Sequence, residues 1–231
     1  MMQAHSDVTV IVPSFNEAKN IGKLISMTKK LYPEIKIIVS DDGSKDGTRE
    51  IVKNSKYDDV KLLDREKKKV HGLTASVVDA ILETKTKYFI VIDGDLQHPP
   101  EKIGEIVKAL KSGKTVVVGT REKVLVPWPF HRRLMSKSAI LAGRARLMLH
   151  RVKCRDVMSG FFGMETKMAQ EIIKKKGKTI QMKGYKILFD LIKNMRKTEV
   201  EEVYYQFGLR SAGKSKINSK VTYYFFKSLI S

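Results

Sequence analysis

The chain has 231 residues, 42% of them apolar, with 45 Lys and Arg against 25 Asp and Glu and a formal charge of +20. That length suits one large domain with a sizeable core rather than two, and a single cysteine, Cys154, excludes an intrachain disulfide and fits a reducing compartment. No run approaches the ~20 apolar residues of a spanning helix and Met1 to Asp7 has no signal-peptide core, so the chain reads as soluble or peripheral, and its charge points to nucleic acid, an anionic membrane surface or phosphorylated substrates.

In chain order, the first β-rich run is Val8 to Val12, ending in Pro13-Ser14-Phe15-Asn16-Glu17. Helical spacing follows, with Ile21, Leu24, Ile25 and Thr28 or Leu31 on one face. The second run, Ile35 to Val39, ends in Ser40-Asp41-Asp42-Gly43-Ser44, and the third, Tyr88 to Ile92, in Asp93-Gly94-Asp95-Leu96-Gln97-His98-Pro99-Pro100. A helix carrying Ile103, Ile106, Val107 and Leu110 follows, and the fourth run, Thr115 to Gly119, leads into Thr120-Arg121. Strands alternating with helices predict an α/β fold with a mainly parallel central sheet and helices on both faces. In such sheets ligands bind beyond the carboxyl ends of the strands, where all four runs place polar residues.

The third strand end carries the most chemistry. Hard cations such as Mg²⁺ or Mn²⁺ prefer oxygen ligands and keep positions open for phosphates, so Asp93, Asp95 and the Gln97 amide oxygen form a plausible partial shell. An EF-hand is excluded because Pro99 opens a helix where that loop needs to continue; a solvated pair of loop carboxylates is the plain alternative. Asp41, likewise, is either a ligand for a base or a cap on the turn before Ser44. The short basic runs Lys67 to Lys69 and Lys174 to Lys178 read as solvated faces.

Arg121 to Arg155 is different, holding ten Lys or Arg against one acid, Glu122, together with Trp128, Phe130, Leu134, Met135, Ile140, Leu141 and Leu147 to Leu149. That mixture predicts amphipathic helix at a membrane interface, the alternative being a basic helix packed on the sheet. The C-terminal Val221 to Phe226 stretch predicts a further helix over 217–231, from which a membrane segment could continue in a longer chain.

Val10 to Glu17, Asp41 to Thr48 and Asp93 to Pro100 together resemble the inverting family 2 glycosyltransferases of the GT-A fold, and within them the dolichyl-phosphate mannose synthases of the archaeal kind. Gly119-Thr120-Arg121, Trp128 to Lys137, Ser159-Gly160-Phe161-Phe162 and Arg210 to Lys216 extend the resemblance, giving a catalytic domain over 1–216 with an acceptor and membrane-interface segment at 121–155. The resemblance implies transfer of mannose from GDP-mannose to dolichyl or polyprenyl phosphate at the cytoplasmic face of a membrane. Pro13, Phe15, Glu17, Val39, Asp41 and Gly94 would hold the donor, Asp93, Asp95 and Gln97 the Mg²⁺ or Mn²⁺ on its diphosphate, and Arg210 and Lys216 would complete that grip. Arg121, Arg132 and Ser136 would hold the acceptor phosphate, while Arg133, Lys137 and Arg144 could face lipid. Asp95, Arg121 and Arg132 are the implied catalytic residues. Phe15 stands where tyrosine is common, Gly94 where alanine is common, and the stretch between Arg121 and Trp128 is short for the family. A UDP-glucose-dependent polyprenyl-phosphate glucosyltransferase has nearly the same motifs. A basic nucleic-acid-binding protein is the alternative from another class, against which the acidic strand ends argue by repelling phosphates.

Overall fold

The computed structural model describes the backbone of residues 5–124, 130–208 and 219–230, with side chains except at 124, 130–135, 219–223 and 226. Seven strands form one sheet: β1 (Val8–Ser14), β2 (Lys36–Asp41), β3 (Val60–Asp64), β4 (Tyr88–Val91), β5 (Val116–Val124), β6 (Phe162–Glu165) and β7 (Val200–Phe207). Their order is β3-β2-β1-β4-β6-β5-β7. Every pair is parallel except those of β6, which runs antiparallel to both β4 and β5. The four expected runs are all strands of this sheet; β3, β6 and β7 are additions to them.

Successive side chains of a strand point to opposite faces, and here both faces are buried. Val10, Val12, Ile37, Val39 and Ile90 pack with α1 (Ala18–Leu31) and α4 (Ile103–Lys111), through Ile21, Leu24, Ile25, Ile103, Ile106, Val107 and Leu110. Ile11, Ile38, Phe89 and Val91 point the other way, onto α3 (Leu73–Glu83), α6 (Thr166–Lys176) and α7 (Ile187–Ile192), through Val77, Val78, Ile81, Ala169, Ile173 and Leu188. Burial of each such aliphatic side chain contributes about 2 kcal/mol. Thr28 closes the buried stripe of α1, whereas Leu31 is exposed. A further helix, α2 (Thr48–Lys53), follows β2.

The reversal of β6 decides what reaches the functional edge. Because β6 starts where its neighbours end, the chain just before it, Asp156 to Phe161, lies at the carboxyl edge of the other six strands. Gly163 permits the insertion: a Cβ there would stand 2.7 Å from Ile106 and 2.9 Å from Leu110 on α4.

The basic segment is divided rather than continuous. Arg121 to Val124 close β5, α5 spans Phe130–Met148, and Leu149 to Arg155 form the turn and extended chain that follow it. Ala139, Gly143 and Leu147 form the inner face of α5, packed so closely that a Cβ at Gly143 would stand 2.7 Å from Val157 and 3.6 Å from both Phe189 and Phe225. Phe225 lies on α8 (Ser219–Ile230). Asp190 and Lys193 fix this last helix from within the core: Lys193 Nζ donates to Asp190 Oδ1 at 2.9 Å and to the Ser228 carbonyl at 2.9 Å.

Candidate active site

The candidate cation loop begins where the sheet lets go of the chain. Ile92 N–H still donates to the Ile11 carbonyl at 3.0 Å, but Asp93 N–H donates instead to His98 Nδ1 at 3.2 Å, closing the loop on itself. Leu96 takes a left-handed conformation, φ 62°, a strained choice for a branched side chain that turns the chain between Asp95 and Gln97. Gln97 N–H donates to Asp95 Oδ1 at 3.1 Å. The Gln97 side chain is clasped by the end of β7, its Nε2 donating to the Gly208 carbonyl at 3.0 Å while Gly208 N–H donates to the Gln97 carbonyl at 3.0 Å. Asp95 and Gln97 are buried, and the Asp93 side chain is 32% exposed. Among the described residues no three His, Cys, Asp or Glu gather to hold a metal without help. Two carboxylates and an oriented amide therefore fit a hard cation that takes its remaining ligands from a substrate phosphate.

Around this loop the other strand ends converge. Glu17 is buried, with its Oε2 accepting from Asn20 at 2.9 Å and its Cγ within 3.5 Å of where a Gly94 Cβ would stand. That is an ordinary contact, so the alanine common in the family would fit. Pro13 is half-buried and the Phe15 ring 45% exposed beside it, at the mouth of the site. Val39 is fully buried in the core, so that only its backbone could face a ligand. Asp41 is fully buried too: it caps the turn behind it, accepting from Ser44 N–H at 2.7 Å, Ser44 Oγ at 2.6 Å and Gly43 N–H at 3.1 Å. Asp42 and Asp46 are also engaged locally. Asp42 accepts from the buried Arg65 and from Gly72 N–H, and Asp46 accepts from Thr48 and Ala18.

Arg121 enters from the end of β5 already paired. Its Nε donates to Asp156 Oδ2 at 2.6 Å and its Nη2 to Asp156 Oδ1 at 2.8 Å, and the guanidinium lies over the Phe207 ring at 5.7 Å. Burial works to raise the Asp156 pKa, but the Arg121 bonds and charge outweigh it and hold the carboxyl below its ordinary value. Ser136 lies half-buried on the first turns of α5. The side chain of Arg132, and Arg210 and Lys216 entirely, lie outside the described residues.

Residues 9–173 match the model of "Glycosyl transferase family 2". The chain belongs to that glycosyltransferase family. It is 34% identical to a dolichol-phosphate mannosyltransferase of Pyrococcus furiosus, covering 96% of this chain and 62% of that one, and 32% identical to one of Mycosarcoma maydis, covering 96% and 77%. A crystal structure of glucosyl-3-phosphoglycerate synthase from Mycobacterium tuberculosis, in complex with Mn²⁺, UDP-glucose and phosphoglyceric acid, shares the fold. It superposes with a TM-score of 0.65 at 15% identity, covering 96% of this chain and 78% of the other. The architecture is thus that of the GT-A glycosyltransferases.

Three components of this glycosyltransferase site escaped sequence reasoning. Asp156 is one, although it carries a signal: it is the first acid after Glu122 in a strongly basic stretch. The second is Arg65, fully buried between Asp42 and Asp79 and donating to the Val70 carbonyl at 2.8 Å, which ties the end of β3 to the start of α3. The third is His98, 2% exposed, whose burial lowers its pKa to about 4 and keeps the ring neutral. Nothing in the spacing of Arg65 or His98 announces these contacts.

Proposed function

We propose that this glycosyltransferase moves mannose from GDP-mannose to a dolichyl or polyprenyl phosphate, with inversion at the sugar carbon, at the cytoplasmic face of a membrane. The observation that carries the reading is the match across 96% of the chain to two proteins named dolichol-phosphate mannosyltransferase, with Asp93, Asp95 and Gln97 together at the sheet edge. Because the chain spans 62% of the Pyrococcus relative, its donor, acceptor and cofactor all belong to the proposal. In it, Asp93, Asp95 and Gln97 hold Mg²⁺ or Mn²⁺, which supplies charge neutralisation on the departing nucleoside diphosphate. Pro13, Phe15 and Glu17 border the nucleoside, with Val39 offering backbone and Asp41 shaping the turn or the base contact, and Arg210 and Lys216 hold the diphosphate.

The acceptor phosphate is already an anion at neutral pH, so attack needs little help from a general base. It needs placement beside other negative groups, which Arg121, Arg132 and Ser136 provide. The phosphate oxygen forms its bond to the sugar carbon as the bond from that carbon to the diphosphate breaks on the opposite face, which inverts the centre. Asp156 prepares this by fixing the plane of the Arg121 guanidinium before the acceptor arrives, so that less order is lost on binding. Incubation of the protein and polyprenyl phosphate with labelled GDP-mannose or UDP-glucose tests the reading. Label is expected in the lipid phase from GDP-mannose; label from UDP-glucose instead overturns the donor, and none from either overturns the acceptor.

A further inference from the structure

His98 is not itself one of the proposed cation ligands, yet the Asp93 backbone and three aromatic rings meet on it. Its Nδ1 accepts from the Asp93 N–H, the first backbone donor that the sheet leaves without a strand partner at this end of β4. A buried N–H needs an acceptor, and here the imidazole replaces the carbonyl a strand would supply. The ring itself is boxed. Phe161 stacks on it at 5.4 Å and 17°, Tyr205 meets it edge-on at 5.6 Å and Phe207 tilts against it at 5.5 Å. Phe161 comes from the loop before β6, and Tyr205 and Phe207 from β7. Those walls are themselves attached to the site. Gly160, beside Phe161, approaches the Asp93 carboxylate so closely that a Cβ would stand 2.9 Å from Oδ2; Gly208, beside Phe207, clasps Gln97.

We propose that His98 is a positioning residue for the cation loop. Its ring is locked by three aromatic contacts, and the lone pair on Nδ1 then sets where the Asp93 backbone, and with it the Asp93 carboxylate, stands relative to Asp95 and Gln97. The proposal rests on the reading of those three side chains as cation ligands. It separates two properties of the imidazole, the flat ring that fills the box and the acceptor that holds Asp93. His98→Phe keeps a ring and removes the acceptor, whereas His98→Asn removes the ring but returns an acceptor, Oδ1, near the place of Nδ1.

The test measures Mn²⁺ binding in the presence of GDP by electron paramagnetic resonance, on wild type and both variants, with urea unfolding run in parallel. His98→Phe is expected to unfold at a urea midpoint near that of wild type and to bind Mn²⁺ at least tenfold more weakly; His98→Asn is expected to lose stability and to keep its Mn²⁺ affinity within about threefold, or 0.7 kcal/mol. Wild-type affinity in a folded His98→Phe overturns the positioning role while leaving the cation reading in place. Weak binding by a folded His98→Asn, equal to that of His98→Phe, also overturns it, because the ring would then be what matters. Failure of wild type to bind Mn²⁺ with GDP overturns the cation reading and the proposal together. A measurement on wild type covers the case in which His98→Phe does not fold: a nitrogen–nitrogen scalar coupling between the Asp93 amide and His98 Nδ1 in the metal-free protein is expected, and its absence overturns the proposal.

Discussion

Asp156 and Arg121 show how much of this site is built from charges that have been taken out of water. Both side chains are largely buried, and their paired bonds of 2.6 and 2.8 Å satisfy each other. Removing one partner of such a pair leaves an uncompensated buried charge, so Asp156→Asn is expected to destabilise the fold by about 3 kcal/mol, read from urea denaturation. The pH dependence has a definite sign. A carboxyl whose folded pKa lies below its unfolded value of 3.8 contributes stability that is complete above that value and disappears as pH falls through the folded pKa. Wild type should therefore lose stability below about pH 4 through this pair, and Asp156→Asn should lack that component; identical acid limbs would refute the assignment. Asp95 makes a different kind of contribution. It accepts from Gln97 N–H, a bond whose loss costs about 1 kcal/mol, so Asp95→Ala is expected to stay folded and to abolish sugar transfer altogether. Excess chelator should do the same to wild type, and full transfer under chelation would mean that no cation serves the reaction.

At the scale of elements, α5 depends on one missing side chain. A Cβ at Gly143 would stand 2.7 Å from Val157 Cγ2, so Gly143→Ala should cost about 2 kcal/mol by overpacking and lift the helix from the core. Because Arg132 and Ser136 ride on that helix and the cation loop does not, transfer to lipid should fall severalfold while calorimetric affinity for GDP-mannose stays near that of wild type. Loss of both affinities together would show that α5 also builds the donor site. The sequence exposes some elements and hides others for a physical reason. β1, β2, β4 and the start of β5 are buried on both faces and so read as near-continuous Val and Ile, and the period of α1 and α4 is visible because one face of each is buried. β3 is a half-exposed edge strand, β6 has four residues including Gly163, and β7 interleaves Glu202, Tyr204 and Gln206 with its buried Val203, Tyr205 and Phe207. The same limit applies to the site. Asp93, Asp95 and Gln97 lie within one turn of chain and announce themselves. The Arg121–Asp156 pair joins positions 35 residues apart and exists only because β6 runs backwards.

For the whole molecule, which carries a charge of +20, one face of α5 sets cations beside exposed apolar side chains. Lys137, Leu141, Arg144 and Met148 are exposed at spacings of four, three and four residues, which places them along one side of the helix, with Leu149 beside them. Leu141, Met148 and Leu149 are 69%, 71% and 76% exposed, an apolar surface set among cations. Among the described residues no helix is long and apolar enough to cross a membrane. A surface of this composition suits shallow insertion of the apolar side chains with the cations on anionic headgroups, which would bring the sheet edge within reach of a lipid phosphate. Each near-surface Lys or Arg contributes about 1 kcal/mol to such binding, through a field that falls off over about 10 Å at 0.1 M salt. Flotation with vesicles should therefore show binding that rises with the fraction of anionic lipid and falls steeply between 0.05 and 0.5 M salt, on the order of one Debye length shrinking several-fold. The double variant Leu141→Glu, Met148→Glu should remove most of the binding that persists at high salt while leaving the urea midpoint unchanged, since neither side chain packs in the core. Equal recovery on neutral and anionic vesicles at low salt, or an undiminished double variant, would leave this face of α5 without a membrane role.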